Sequence, residues 1–205
     1  MSEYEREARR ERLEALRQAG VDPFPARVAA TQRIRDIRSR FDSLDAEALE
    51  AGGESVSVAG RIMAKRKFGK LMFVQLREDG SGIQVSVRKQ EVSAELFDFA
   101  KDLDVGDFVR VEGPLWRTKT DELTVDLREM ELLAKSLRPL PEKWHGLSDV
   151  ETRFRQRYLD LLVNEDARRI ALLRSRIVKA MRAFLDQRDF IEVETPVLQP
   201  LYGGA

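Results

Sequence analysis

Three side-chain types with a shared spacing could form one chemical surface. Met72, Val74 and Leu76 alternate with Phe73, Gln75 and Arg77, and Ile83, Val85 and Val87 alternate with Gln84, Ser86 and Arg88. Leu123, Val125 and Leu127 repeat the pattern after Glu122. A period of two marks half-buried strands. With the aliphatic positions inward, Phe73, Gln84 and Glu122 point outward. An outward phenyl ring is a stacking platform for a nucleobase, worth roughly 1–3 kcal/mol per base. An amide both donates and accepts, so it can read a base edge. A carboxylate among such contacts accepts from a base donor, because phosphate repels it. In the plainer alternative, Phe73 lies under another segment and serves only packing.

A cationic run lies next to these residues. Arg61-Ile-Met-Ala-Lys-Arg-Lys-Phe-Gly-Lys70 carries Arg61, Lys65, Arg66, Lys67 and Lys70 with no acid between them. Read as a loop, it is a natural clamp for phosphate groups. Read without function, it is a solvated loop.

Other chemistries are excluded by composition. The chain has no cysteine, which removes disulfides, Cys-zinc sites, iron–sulfur clusters and thiol nucleophiles. Its one histidine, His145, cannot build a multi-His metal site or a two-His relay. No Gly-rich phosphate loop and no G-x-S-x-G elbow occurs, so no catalytic residue is assigned. In 205 residues, 36 Lys+Arg balance 36 Asp+Glu, giving a net charge of +0. Neutrality argues against a histone-like polycation but permits a local basic patch. The N-terminus has no apolar signal core, and no run is long and apolar enough to cross a bilayer. The expectation is a soluble, cytoplasmic protein.

The positioning elements follow from the periodicity. Residues 3–19 read as a helix with a thin apolar stripe, ended by Gly20 and followed by Pro23 and Pro25. It is either a solvated helix or a basic one touching RNA backbone. Short helices are expected at 32–41 and 46–51. Three strands (Val56 and Val58 alternating with Ser55 and Ser57, then the runs at 72–76 and 83–87), a helix over 93–103, and two further strands at Val109/Val111 and 123–127 fit a small five-stranded barrel of the OB type. Glu78-Asp-Gly-Ser-Gly82 is a hairpin turn. Residues 137–150 form a proline-containing linker, in which Trp144 and His145 could act as anchors. Residues 151–188 are helical and basic, with Ile170, Leu173, Ile177, Met181 and Phe184 at helical spacing and Asn164 as N-cap. A strand is expected over 189–196, stopped by Pro196. One helix and one strand do not make a domain, so their apolar faces call for a twin chain or a continuation. The expected organisation is an N-terminal helical extension (1–54), a barrel (55–136), a linker (137–150) and the beginning of an α+β domain (151–205).

Several strings carry a resemblance. Leu137-Arg-Pro-Leu-Pro-Glu-Lys-Trp-His-Gly-Leu-Ser-Asp149 with Arg153-Phe-Arg-Gln-Arg-Tyr-Leu-Asp-Leu161 resembles the junction of class II lysyl-tRNA synthetases. Phe190-Ile-Glu-Val-Glu-Thr-Pro-Val-Leu-Gln-Pro200 resembles motif 1 of that class, and Gly203-Gly-Ala205 the loop after it. Gly106-Asp107 and Thr118-Lys-Thr-Asp-Glu-Leu123 resemble its barrel. The likeness covers nearly the whole chain and is strong from Arg61 onward.

The resemblance implies specific roles. The barrel would bind the tRNA anticodon, with Arg66, Phe73, Gln84 and Glu122 reading the central uridine. Beside them, the cationic run read above supplies Arg61, Lys65, Lys67 and Lys70 for the phosphate backbone. Motif 1, with Phe184, Phe190 and Pro196, would form a homodimer interface. Gly204 would line the lysine pocket, although Tyr202 stands where the family often has proline. The family joins lysine to its tRNA using ATP and Mg2+ through motifs 2 and 3. Neither motif occurs within residues 1–205, so this stretch is expected to bind no cofactor and to be inactive alone, as the N-terminal part of a longer enzyme. A free-standing tRNA- or single-strand-binding module is one alternative. An aspartyl- or asparaginyl-type relative is another, against which the Arg-Pro-Leu-Pro junction argues.

Overall fold

The computed structural model describes residues 3–29, 31–141, 147 and 149–197. They fall into two compact units, Met1–Leu140 and Pro141–Ala205.

The first unit opens with three helices, α1 (Glu3–Gln18), α2 (Ile34–Phe41) and α3 (Ala46–Gly52). Gly20 closes α1 at φ 76°, and Val21 N donates to Leu16 O at 2.9 Å. This is a Schellman-type end, which glycine reaches without a Cβ penalty. The helix is held by more than its apolar stripe. Arg9 donates to the carbonyls of Ser136 (2.9 Å) and Val105 (3.0 Å), and Arg12 pairs with Asp104. Ile34, Ile37 and Phe41 of α2 and Leu49 of α3 are all buried in the main core. The expected 1–54 extension therefore packs in the same compact unit as the barrel.

The barrel is built from β1 (Ser55–Phe68), β2 (Leu71–Glu78), β3 (Ser81–Arg88), β4 (Phe108–Arg117) and β5 (Leu123–Asp126). Helix α4 (Ala94–Asp102) lies between β3 and β4 in the chain, with Ser93 Oγ accepting from Leu96 N at 3.1 Å. The strands run β1-β2-β3-β5-β4, and β1 pairs back onto β4 to close the ring. One long strand can serve two neighbours because it bends. Residues 55–61 of β1 pair with β4, residues 61–68 pair with β2, and the register shifts between Ile62 and Ala64. Such a bulge increases twist and turns the strand around a barrel corner. Gly113 is required where β4 passes β5, because a Cβ there would lie 1.8 Å from the Asp126 carbonyl oxygen. The Asp79-Gly80 turn has positive φ at both positions, the form a two-residue hairpin favours. Met72, Val74, Leu76, Ile83, Val85, Val87, Leu123, Val125 and Leu127 are all buried, as the alternation predicts.

Two expectations change here. A sixth strand, β6 (Glu129–Ala134), pairs with β4. Arg110 on β4 binds Glu131 on β6 at 3.2 Å and also contacts Glu112 and Glu129. The run 61–70 is not a loop: residues 61–68 belong to β1, and only Gly69 and Lys70 form the turn into β2.

The second unit contains α5 (Val150–Arg155), α6 (Arg157–Val163) and α7 (Glu165–Asp186). Buried Asp160 joins them, accepting from Arg153 at 2.9 Å, Arg157 at 2.7 Å and Asn164 at 3.4 Å. Asn164 also caps α7, accepting from Asp166 N and Ala167 N. The strand expected over 189–196 is absent: residues 190–196 have no strand pairing among the described residues. A strand exists only through a hydrogen-bonded neighbour, and none lies beside this segment among the described residues.

Candidate nucleic-acid interface

Register places the predicted residues side by side. Arg66 lies opposite Phe73, Phe73 opposite Ser86, and Ser86 beside Asp126. The next row runs Gln75, Gln84, Thr124 and Trp116. Paired positions in a sheet share a face, and these alternate with the buried core positions, so both rows lie on the outside of the barrel. Arg66, Phe73 and Gln84 are thus brought onto one surface, and Glu122, just before β5, joins it through Thr124.

Each is held differently. Phe73 is half-buried, with its ring edge-on to Phe68 at 6.4 Å and 67°. Phe68 itself is 63% exposed on the hairpin end. Gln84 Nε2 donates to Thr124 Oγ1 at 3.1 Å, and that hydroxyl donates to the Glu122 carbonyl at 2.9 Å. The amide and the carboxylate residue are therefore linked through Thr124. The Glu122 side chain accepts from Arg38 of α2 at 2.6 Å.

A second polar cluster on this face was not singled out from sequence. Ser86 Oγ donates to Asp126 Oδ1 at 2.8 Å and accepts from Trp116 Nε1 at 3.1 Å. The Arg88 guanidinium stacks over Trp116 at 4.2 Å and sits 3.6 Å from Asp126, which Arg128 also reaches at 3.0 Å. The alternation had placed Ser86 and Arg88 outward but gave no sign that Asp126 and Trp116 meet them. The outward-lying period of Thr124 and Asp126 was the available signal.

The cationic run divides into two sets. Arg66, Lys67 and Lys70 are exposed, as is Lys89; Lys67 pairs with Met72 and reaches over the Phe97 ring of α4 at 5.9 Å, on the side of β1 away from Phe73. Arg61 and Lys65 are turned away from the role of phosphate clamp. Arg61 donates to the Gly106 carbonyl at 3.1 Å and stacks over Phe108 at 4.1 Å, and burial lowers its pKa. Lys65 Nζ donates to the carbonyls of Ala100 (3.0 Å), Lys101 (2.7 Å) and Leu103. These groups lie at the C-terminal end of α4, where orphan carbonyls attract a cation. Burial lowers the Lys65 pKa to about 8, against the opposing pull of Asp104, Asp107 and Asp102. Below Lys65, the fully buried Lys135 ammonium bridges Asp104 (2.6 Å) and Asp107 (2.8 Å).

In the second unit, Phe184 and Phe190 are 54% and 64% exposed, and Pro196 is exposed too. Ile170, Leu173, Ile177 and Met181 on α7 are likewise exposed, so the apolar stripe is not core within the described residues. Gly204, Trp144 and His145 lie outside the described residues. Among the described residues, no group of three or more His, Asp or Glu is placed to hold a metal ion, and no helix is long and apolar enough to cross a membrane.

Residues 56–140 match the family model of the OB-fold nucleic acid binding domain, and residues 149–205 match that of class II tRNA synthetases (D, K and N). The nucleic-acid-binding match is thus followed along the chain by the synthetase match. The chain is 48% identical to the lysine–tRNA ligase of Magnetococcus marinus over 200 residues, covering 97% of this chain and 40% of that protein. The ligase of Roseiflexus castenholzii is 49% identical over 196 residues, 95% of this chain and 39% of that protein. That of Bacillus subtilis is 43% identical over 199 residues, 97% and 40%. The chain belongs to the lysine–tRNA ligase family. It spans about 40% of the length of the curated relatives it matches.

Proposed function

We propose that the outer face of the barrel binds the anticodon loop of a lysine-accepting tRNA in the cytoplasm. The observation that carries this reading is the strand register that gathers Arg66, Phe73 and Gln84 on one surface, with Glu122 joined to Gln84 through Thr124. Phe73 stacks a base, Gln84 and Glu122 read base edges, Arg66 engages the backbone from the same face, and Lys67 and Lys70 do so at the tip of the hairpin. Lys65 and Arg61 support the barrel and make no phosphate contact.

ATP and Mg2+ serve the family's activation of lysine and its transfer to tRNA. The described residues of the second unit are helices without a carboxylate cluster, which does not fit a nucleotide–metal site. No catalytic step is therefore assigned to them, and ligation of lysine is proposed for the longer protein. Gly204 is proposed for its lysine pocket. The exposed stripe of α7, which includes Phe184, and the exposed Phe190 and Pro196 that follow it in the chain support motif 1 as the seat of a homodimer.

Phe73→Ala tests the face directly. Loss of one stacked base costs roughly 1–3 kcal/mol, so affinity for a lysine tRNA transcript should fall about 5- to 150-fold. The thermal melt should change little, because the ring lies outside the core. Unchanged affinity would remove the platform, and equal binding of lysine and aspartate tRNA transcripts by the wild type would remove the lysyl assignment.

A further inference from the structure

We propose that Arg38 is a positioning residue for base discrimination, acting through Glu122. This rests on the reading of Glu122 as a base-edge acceptor and adds what makes that acceptor selective. Arg38 lies on α2, outside the barrel strands and 84 residues from Glu122 in sequence. Its backbone is fixed, because Ile34, Ile37 and Phe41 on the same short helix are buried at 0%, 2% and 3% exposure. Ile34 N also donates to Glu78 Oε2 at 2.7 Å, tying the start of α2 to the end of β2.

The guanidinium uses three directions at once. Nε donates to the Gly82 carbonyl at 2.7 Å, Nη1 to Asp42 at 3.1 Å and Nη2 to Glu122 Oε1 at 2.6 Å. A planar fork anchored on two other groups cannot follow a moving carboxylate, so it fixes the carboxylate instead. The Glu122 backbone is fixed independently. Its N–H donates to Thr118 Oγ1 at 3.1 Å, and its carbonyl accepts from Thr118 N and Thr124 Oγ1. With both ends held, Oε2 occupies one place on the face. Glu122 remains 40% exposed at its side chain, which leaves the carboxylate within reach of a ligand.

Selectivity depends on that fixed place. Uracil offers an N3–H donor, whereas cytosine offers its donor one ring position away, at the exocyclic N4. A carboxylate free to swing accepts from either; a fixed one accepts from the base whose donor meets it. Arg38 also neutralises Glu122, which permits an acid to sit in an interface with a polyanion.

The test uses the full chain and two short RNA anticodon stem–loops that differ only in a central uridine or cytidine. The wild type should prefer the uridine loop, and Glu122→Ala should lose much of that preference. Arg38→Lys keeps the charge but loses the fork. It should lower the uridine-to-cytidine affinity ratio roughly three- to tenfold, the equivalent of one net hydrogen bond. Arg38→Lys added to Glu122→Ala should change the ratio no further, and Arg38→Ala should match Arg38→Lys in ratio while binding both RNAs more weakly. A merely structural staple would lower both affinities equally and leave the ratio intact. That result, with Glu122→Ala still losing the preference, overturns the proposal and leaves the base-reading face standing. If Glu122→Ala keeps the wild-type ratio, the reading of Glu122 fails and the role of Arg38 with it.

Discussion

Changing Lys67 and Lys70 together to alanine should flatten the salt dependence of RNA binding, while Lys65→Ala should leave it unchanged. All three lysines lie within one cationic run, so charge alone does not separate them. Their surroundings do. Lys67 and Lys70 are exposed at the β1–β2 hairpin, whereas three carbonyls at the end of α4 surround the Lys65 ammonium. Each phosphate neutralised on a single strand contributes roughly −0.7 to the slope of log affinity against log salt. Removing two contacts should therefore reduce the slope by about 1.4, which over a fourfold range of salt amounts to roughly a sevenfold difference in affinity. The double variant should fold as the wild type does. Lys65→Ala should instead lower the melting temperature, since losing a charged donor from buried carbonyls costs about 1–3 kcal/mol. Fluorescence anisotropy of a labelled anticodon stem–loop across a potassium chloride series measures the slope. The assay is run at pH 7, below the Lys65 pKa of about 8, so that its charge is constant. A slope that falls by about 0.7 in Lys65→Ala, or that stays unchanged in the double variant, would refute the division of the cationic run.

Two further outcomes concern stability. Lys135→Met leaves the buried Asp107 and the nearby Asp104 without their ammonium, and breaking such a pair costs roughly 3–5 kcal/mol in urea unfolding; Lys101→Met, which opens an exposed pair with Asp98, should stay within about 0.5 kcal/mol, and similar values for the two would contradict a structural role for the buried cluster. In the second unit, burial raises the Asp160 pKa, but the hydrogen bond and charge of Arg153, with Asn164 and Arg157, outweigh it and hold the pKa below the usual carboxylate value. Its stabilisation is thus complete above the unfolded value near pH 4 and is lost as pH falls through the lowered folded value, so Asp160→Asn should shrink the acid-induced loss of helical far-UV circular dichroism, and an unaltered acid limb would count against the Asp160 link.

Much of the barrel was legible because strand alternation needs no knowledge of the partner strand. The inward set from Met72 to Leu127 is buried as the period requires. Phe73, Gln84 and Glu122 followed as its complement, and register then set Phe73 opposite Arg66 with Gln84 on the same face. β6 was not legible, because Glu129-Met-Glu-Leu-Leu-Ala134 does not alternate cleanly; Leu132 is its one fully buried apolar residue, and the cross-strand pair of Arg110 with Glu131 helps hold it. Residues 189–196 read as a strand by composition, yet no neighbour pairs with them among the described residues.

By itself, then, the sequence determined which residues face the core, where the hairpin turn and the Asn164 cap fall, and which family's strings the chain carries. These are local properties, set by side-chain period, backbone preference and short contiguous motifs. Only the tertiary structure decided which cations face solvent and which side chains hold the base-reading groups. Lys65 and Lys67 are two residues apart and chemically alike; the arrival of the α4 carbonyls over one of them separates their roles. Arg38 and Glu122 meet across 84 residues because α2 buries its apolar side against the barrel core. Such contacts depend on how elements pack in space, and no spacing along the chain records that.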